Sequence, residues 1–284
     1  MPELPEVETI TRDLDSKLKN KKIIAVESLD KKIFKLTESD VKNILGKKIR
    51  KIRRRAKMII FDLADYYLIM HLKMTGQLVY QTKTSLITGG HPIINQDKKL
   101  PNKFSRVIFK FNDKSTLYFN DVRRFGWIKI MPGNKFAEFN SRLGVEPLSS
   151  EFTLEFFNKF LLRKPKTSIK QALLDQKYIS GIGNIYADES LFIARIKPFR
   201  KIKTLSATEI KKLWHAIPKI LKHAIKHRGT SFNDYVDAQG EVGNFIKYLK
   251  VYGRLGEKCK NCGQPVKKIK LGGRGTHWCD NCQK

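Results

Sequence analysis

Four cysteines, all within the last 26 residues of a 284-residue chain, constrain what this sequence can fold into more than any other feature. They stand as Cys259-Lys-Asn-Cys262 and Cys279-Asp-Asn-Cys282, two C-x2-C pairs separated by 16 residues. Each pair is a tight knuckle that offers two thiolates, and two knuckles at this spacing complete a tetrahedral cage. One Zn2+ fits best, an iron–sulfur site being the minor alternative. Four thiolates close the cage to substrate, so the ion is expected to be structural. Its binding free energy, on the order of 10 kcal/mol, would stand in for the core that so short a segment lacks. His277 would be a fifth donor and is left out. Between the knuckles, Lys267, Lys268, Lys270 and Arg274 place four cations on an expected hairpin. A phosphate contact and a merely solvated basic face are both open for the lysines. Arg274 differs because its flanking glycines let the backbone approach a ligand closely.

The rest of the chain points to the same kind of partner. Lys and Arg number 57 against 27 Asp and Glu, a net charge of +30 that opposes folding by self-repulsion and is best explained by a polyanion. With 41% hydrophobic and 10% aromatic residues the chain still buries a core, which excludes a disordered basic tail. Its longest apolar runs, such as Tyr66 to Met70, are far below the roughly 20 residues that span a bilayer. The start MPELPEVE has no basic n-region or apolar h-region, so a cytoplasmic protein is expected rather than a secreted or membrane-bound one.

Periodicity divides the chain. Val7, Ile10, Leu14 and Leu18 recur at spacings of three and four, an amphipathic helix over about Glu6 to Leu18. From Lys22 to about Ile130 short alternating or β-branched runs predict strands: Ile24/Val26, Met58 to Leu63, Leu68 to Leu72, Val107/Phe109/Phe111, Leu117/Phe119 and Ile128/Ile130. Gln81 to Asn102, with Gly89, Gly90, Pro92 and Pro101, reads as a long surface loop. Helical patterns begin at Leu154, and Ser206-Ala207-Thr208-Glu209 is a capping box ahead of a long helix in which Pro218 should introduce a kink. Ser231 to Gly243 is polar and Gly-containing, a loop. The expectation is an α+β protein: an N-terminal β-sandwich with a flanking helix at 1–132, a linker at 133–150, a helical domain at 151–249 and a four-cysteine zinc finger at 250–284.

The N-terminus supplies candidate chemistry. Removal of Met1 would expose the secondary amine of Pro2, which at a pKa of roughly 8 is substantially unprotonated near neutrality and can attack an aldehyde-level carbon. Glu3 beside it could move a proton. Taken alone, Pro-Glu is an ordinary helix start. It opens a chain, however, that also carries HLKMTG at 71–76, DVRRFGW at 121–127, GIGNIYADE at 181–189, KVYGR at 250–254 and the ribbon GRGTHWC. In this order, over essentially the whole length, the set closely resembles the formamidopyrimidine-DNA glycosylases, bacterial repair enzymes for oxidised guanine. Relatives of endonuclease VIII type typically begin Pro-Glu-Gly-Pro, and Leu4 stands here in the glycine's place.

The resemblance implies a helix-two-turn-helix in the C-terminal domain, a zinc-ribbon finger, and double-stranded DNA with oxidised bases or abasic sites as the partner of a monomer. It implies Pro2 as the nucleophile at C1′, Glu3 as acid/base, Lys57 as the lysine assisting β-elimination, and Arg274 as the arginine gripping phosphates and assigned to δ-elimination. A glycosylase must extrude its nucleotide, and something must fill the hole. Met74, Arg123 and Phe125 match the family's void-filling trio, although residue chemistry alone would place Met74 and Phe125 in the core. Asn184 after Gly181 and Gly183 matches a phosphate-binding turn at a helix start. His71, Lys166 and Tyr252 fall on DNA-contact positions, and Ser231 to Phe245 on the loop that covers the everted base. One departure is Phe104-Ser105-Arg106, where the family usually has His-x-His. Either Arg106 restores the lost charge or the 81–102 insertion rebuilds that edge, and no DNA contact is carried to Phe104. Two other functions remain alternatives: the same chemistry on oxidised pyrimidines, and non-catalytic binding of damaged DNA.

Overall fold

The computed structural model describes residues 1–30, 34–90, 99–230 and 244–284. The chain forms two compact units, Met1–Ser141 with His227–Ile246, and Arg142–Lys226 with Lys247–Lys284. Among the described residues no helix is long and apolar enough to cross a membrane.

The N-terminal unit begins with helix α1 (Leu4–Leu18), which starts two residues earlier than the apolar spacing indicated because Pro5, with its fixed φ and missing N–H, suits a first helical turn. Its apolar stripe of Val7, Ile10, Leu14 and Leu18 is wholly buried. Two antiparallel sheets follow. Strands β1 (Ile23–Ser28), β5 (Gly76–Gln81), β6 (Leu86–Gly90), β7 (Ser105–Phe111) and β8 (Thr116–Asp121) form one, in the order β1-β7-β8-β5-β6. Strands β2 (Lys51–Arg55), β3 (Met58–Asp62), β4 (Tyr66–His71) and β9 (Trp127–Pro132) form the other, in the order β2-β3-β4-β9. Alternate residues of each sheet, Leu78, Tyr80, Phe109 and Phe119 from the first and Ile59, Phe61, Leu68 and Met70 from the second, share one core with the stripe of α1. This period of two is the signature of sheets covered on one face by a common core, and the expected β-sandwich with its flanking helix is present. The short helix α2 (Glu38–Lys42) lies between β1 and β2 in sequence.

Two segments differ from the expectation. Gln81 to Asn102 is not simply a loop, because β6 pairs along β5 from Gln77↔Gly90 to Gln81↔Leu86. Its glycines serve packing: a Cβ on Gly89 would lie 2.9 Å from the Ile10 side chain, so the missing side chain admits α1 against the sheet. Glycine there reads as a loop signal in sequence, whereas its cause is a helix elsewhere in the chain. The Gly133 to Ser150 stretch opens with helix α3 (Gly133–Ser141), whose Phe136 stacks on Tyr67 at 4.1 Å between ring centroids.

The C-terminal unit holds α4 (Leu154–Leu162), α5 (Ile169–Leu173), α6 (Asn184–Ala194) and α7 (Ala207–Lys226). Thr153 caps α4 by accepting the Phe156 amide at 3.0 Å. The Ser206 capping box forms as expected: the Glu209 amide donates to Ser206 Oγ at 3.2 Å and the Ser206 amide to Glu209 Oε2 at 2.8 Å. Helix α7 continues through Pro218 to Lys226. The chain closes with the hairpin of β10 (Lys267–Leu271) and β11 (Arg274–Trp278).

Candidate functional site

In the N-terminal unit, Pro2 and Glu3 stand immediately before α1, with Glu3 only 3% exposed. The Glu3 amide donates to Glu6 Oε2 at 2.9 Å. The other oxygen of that carboxylate accepts both the amide and the hydroxyl of Thr230, at 2.8 and 3.0 Å. Glu6 therefore ties the start of the chain to the residue just before position 231. Gly229, at φ +80°, makes room for it, since a Cβ there would lie 2.7 Å from Glu6 Oε1.

Lys57 sits in the two-residue turn between β2 and β3, where Arg55 pairs with Met58 and Ala56 adopts a left-handed φ of +53°. Such a φ costs an alanine roughly 1–2 kcal/mol, so surrounding bonds must hold it. Arg54 does so, donating from Nη1 to the Ala56 carbonyl at 2.9 Å and from Nε to Glu8 Oε2 of α1 at 2.8 Å. Burial pulls the Glu8 carboxyl up, but Arg54 and Arg12 outweigh it and hold it below the ordinary glutamate value. Helix α1 and the turn carrying Lys57 are thus joined by an ion pair that stays charged.

His71 ends β4, opposite Met58 in the sheet register. Its Nδ1 accepts the Lys73 amide at 3.0 Å, which leaves Nε2 carrying the proton. Burial first, and then the positive charges of Lys73 and Lys57, lower its pKa to about 3, so the ring is a neutral donor over the physiological range. Beyond it, Met74 and Phe125 are 40% and 52% exposed, large apolar side chains standing in solvent. The Arg123 guanidinium lies 4.6 Å from the Phe125 ring centroid. Arg106 is engaged inside the fold, donating from Nε to the Asp121 carbonyl at 2.9 Å and from Nη1 to the Lys103 carbonyl at 3.2 Å. At 6% exposure it is no surface replacement for a histidine. The residues 231–243 of the expected base-covering loop lie outside the described residues.

In the C-terminal unit, Asn184 is the first residue of α6, after Gly183, and its Nδ2 donates to the Gly275 carbonyl of β11 at 2.9 Å. The same hairpin is held from below by a buried network that sequence reasoning missed. Lys170 Nζ donates to the Gly275 carbonyl at 3.1 Å and to Thr276 Oγ1 at 2.9 Å, and it pairs with Asp188 Oδ1 at 2.6 Å. Lys170 and Asp188 are both 0% exposed. Asp188 Oδ2 accepts the His277 amide at 2.9 Å. Next to it, the fully buried Glu189 accepts the amides of Lys250, Val251 and Tyr252 at 2.9–3.1 Å. Burial pushes the Glu189 carboxyl up despite those three donors. The available signal was an Asp-Glu pair inside the otherwise apolar helix Asn184–Ala194, where charges need a buried partner to persist. Arg274 opens β11 after the turn at Gly272 and Gly273, both at positive φ, and it and Lys166 are exposed. The Tyr252 ring packs edge-on to His277 at 5.1 Å.

The four cysteines converge as the spacing requires, their ligand atoms all within 4.8 Å of one another. Cys262 and Cys279 Sγ are 3.4 Å apart and Cys259 and Cys282 Sγ 3.9 Å. A tetrahedron of Zn–S bonds near 2.3 Å has edges of about 3.8 Å, so these thiols fit one structural zinc ion. His277 turns its Nδ1 toward Asp188 at 3.5 Å and stays outside the cage.

A sandwich led by Met-Pro-Glu, and a helical unit ended by a four-cysteine finger, define a class of two-unit zinc-finger proteins. Three family models match this chain: the formamidopyrimidine-DNA glycosylase N-terminal domain over residues 1–128, its H2TH domain over 143–235, and the zinc finger found in FPG and IleRS over 256–284. The formamidopyrimidine-DNA glycosylase of Pelotomaculum thermopropionicum is 43% identical, over 100% of this chain and 99% of its own. That of Listeria monocytogenes is 39% identical over 100% of both. Among solved structures, a Lactococcus lactis FPG mutant in complex with a Fapy-dG containing DNA is similar with a TM-score of 0.87 and 35% identity, over 100% of both chains. The L. lactis Fpg with an abasic site containing DNA gives 0.86 and 34%, again over 100% of both. The chain belongs to the formamidopyrimidine-DNA glycosylase family.

Proposed function

We propose that this protein is a base-excision repair enzyme, a DNA glycosylase and abasic-site lyase that acts on oxidised purines such as 8-oxoguanine and formamidopyrimidines. The observation that carries the reading is the Pro2-Glu3 start held at the head of α1 by Glu6, with α1 joined through Glu8 and Arg54 to the turn that carries Lys57. After loss of Met1, the Pro2 nitrogen attacks C1′ of the everted nucleotide. The C1′–N bond to the base breaks, the base leaves with a proton, and Glu3 protonates the ring oxygen as the sugar opens to an iminium. Loss of a C2′ proton then expels the 3′ phosphate, with Lys57 assisting. A second elimination expels the 5′ phosphate, with Arg274 gripping the phosphates.

Met74, Arg123 and Phe125 take the place of the everted nucleotide, Arg123 hydrogen-bonding the orphaned cytosine. His71, Lys166, Asn184 and Tyr252 contact the backbone. Cys259, Cys262, Cys279 and Cys282 hold the zinc that shapes the finger. The functional modules we assign are 1–132, a linker at 133–150, 151–249 with a base-covering loop at about 231–245, and 250–284. The protein works as a monomer on duplex DNA in the cytoplasm, at the nucleoid.

Borohydride trapping on a duplex carrying 8-oxoguanine opposite cytosine, with intact mass to report Met1 removal, tests this reading. An adduct mapping to the Pro2 amine is expected. An adduct on a lysine would overturn the mechanism, and none from processed protein, on this duplex or on abasic DNA, would leave a DNA-binding protein without chemistry. Faster release of thymine glycol than of 8-oxoguanine would move the substrate to oxidised pyrimidines.

A further inference from the structure

The exposed side chains Met74, Arg123 and Phe125 come from two connections, one between β4 and β5 and the other between β8 and β9. A free connection would let each side chain wander, yet both are fastened to a single carboxylate. Asp121, the last residue of β8, is 0% exposed. Its Oδ1 accepts the Thr75 hydroxyl at 2.5 Å, one residue after Met74. Its Oδ2 accepts the Gly126 amide at 2.7 Å, one residue after Phe125. Thr75 Oγ1 in turn accepts the Arg123 amide at 2.9 Å, and Thr75 is 8% exposed. The amides at 123 and 126 therefore bracket Arg123, Arg124 and Phe125, and both bonds lead to the residue that follows Met74.

Space confirms how closely the bracket is drawn. A Cβ on Gly126 would lie 2.7 Å from the Phe119 ring, 3.0 Å from Asp121 Oδ2 and 3.1 Å from the His71 carbonyl. Arg106 holds the main chain of the same residue by donating to the Asp121 carbonyl, so the residue is fixed through both its main chain and its side chain. Hydrogen bonds to a charged acceptor in a dry site are the strong kind, and they fix geometry as well as energy. The Asp121 and Thr75 side chains are both buried.

We infer that Asp121 and Thr75 are positioning residues that make Met74, Arg123 and Phe125 one pre-organised group, so that discrimination of the base opposite the lesion depends on two buried side chains that touch no DNA. The inference rests on the proposed void-filling role of those three side chains. Pre-organisation lowers the ordering cost of entering a duplex, and loosening it by a fraction of an ångström weakens only those interactions that need the geometry.

The test measures excision of 8-oxoguanine opposite cytosine and opposite adenine, together with borohydride trapping on single-stranded abasic DNA, where there is no opposite base to read. Thr75→Val keeps the shape but removes both the acceptor for the Arg123 amide and the donor to Asp121. It should reduce the cytosine-over-adenine ratio by about tenfold, the scale set by losing hydrogen bonds to a charged group. Single-strand trapping should stay within about twofold of the parent, and Thr75→Ser, which retains the hydroxyl, should restore the ratio. Asp121→Asn, which sets an amide donor against the Gly126 or Thr75 donor, should act in the same direction. In an Arg123→Ala background Thr75→Val should change the ratio no further, the sign that it acts through Arg123. If Arg123→Ala lowers the ratio and Thr75→Val does not, the inference is overturned and the void-filling role stands. A parallel fall of ratio and single-strand trapping in Thr75→Val would also overturn it, in favour of a purely structural bond. If Arg123→Ala itself leaves the ratio unchanged, the void-filling role fails and the inference with it.

Discussion

The sandwich and the zinc finger solve the problem of holding functional side chains in opposite ways. In the sandwich a large apolar core, from Val7 and Ile10 of α1 through Phe109 and Phe119, makes a rigid platform, and polar side chains fasten the turns at its edge. The finger has a cluster of just Phe192, Val251, Val266 and the cysteines. Its shape comes instead from thiolates on a metal and from buried charges: Lys170 and Asp188 under the hairpin, Glu189 under the 250–252 segment. Apolar burial is indifferent to chelators and nearly so to pH, whereas a metal cage and buried ion pairs are all-or-none. An arm built the second way is the weak point of the molecule.

Removing zinc should break the symmetry of the two regions most strongly. Taking away a contribution on the order of 10 kcal/mol should unfold residues 256–284 and abolish duplex binding, while the sandwich keeps its protease resistance. Limited proteolysis with and without a strong chelator checks this, and a finger that stays resistant when stripped would refute the comparison.

Next in size is the buried pair. Lys170→Met leaves Asp188 without its cation and should cost about 3–5 kcal/mol of C-terminal stability in urea unfolding. Lys170→Met with Asp188→Leu should recover most of it, because two apolar groups need no partners. Recovery of stability without recovery of DNA affinity would show that the pair positions the strand that begins with Arg274.

On the sandwich side a large electrostatic liability is His71. Its folded pKa of about 3 lies below the unfolded value near 6.5, so the fold favours the neutral ring. That stabilisation is complete above pH 6.5 and is lost as pH falls toward 3. By pH 5 about 2 kcal/mol should be gone. His71→Asn, whose Oδ1 can still accept the Lys73 amide, should flatten that part of the melting-temperature profile between pH 7.5 and 5. An unchanged slope would mean that His71 is not the titrating group.

The smallest effect is local. Ser206→Ala removes the cap of α7 and should cost about 1 kcal/mol, equally with zinc bound or stripped. A dependence on zinc would show that α7 and the finger unfold together.

Legibility in the sequence followed the range of each interaction. The zinc cage, the stripe of α1, the alternation of β7 and β8 and the Ser206 capping box were readable because each is a pattern within a few residues or one spacing rule. Strand β6 was missed because its glycines look like a loop until Ile10 is packed against them. Arg106 was a candidate surface charge until its guanidinium was found on two main-chain carbonyls.

What the sequence determined by itself was therefore the two-part α+β plan, the single zinc and, through its motifs, the family. What only tertiary structure decided was which charges are buried. Thr75 meets Asp121 across 46 positions, Glu189 meets Tyr252 across 63 and Lys170 meets Thr276 across 106. An aspartate or lysine taken alone is a surface residue by default, and only a partner brought from far along the chain makes its burial affordable.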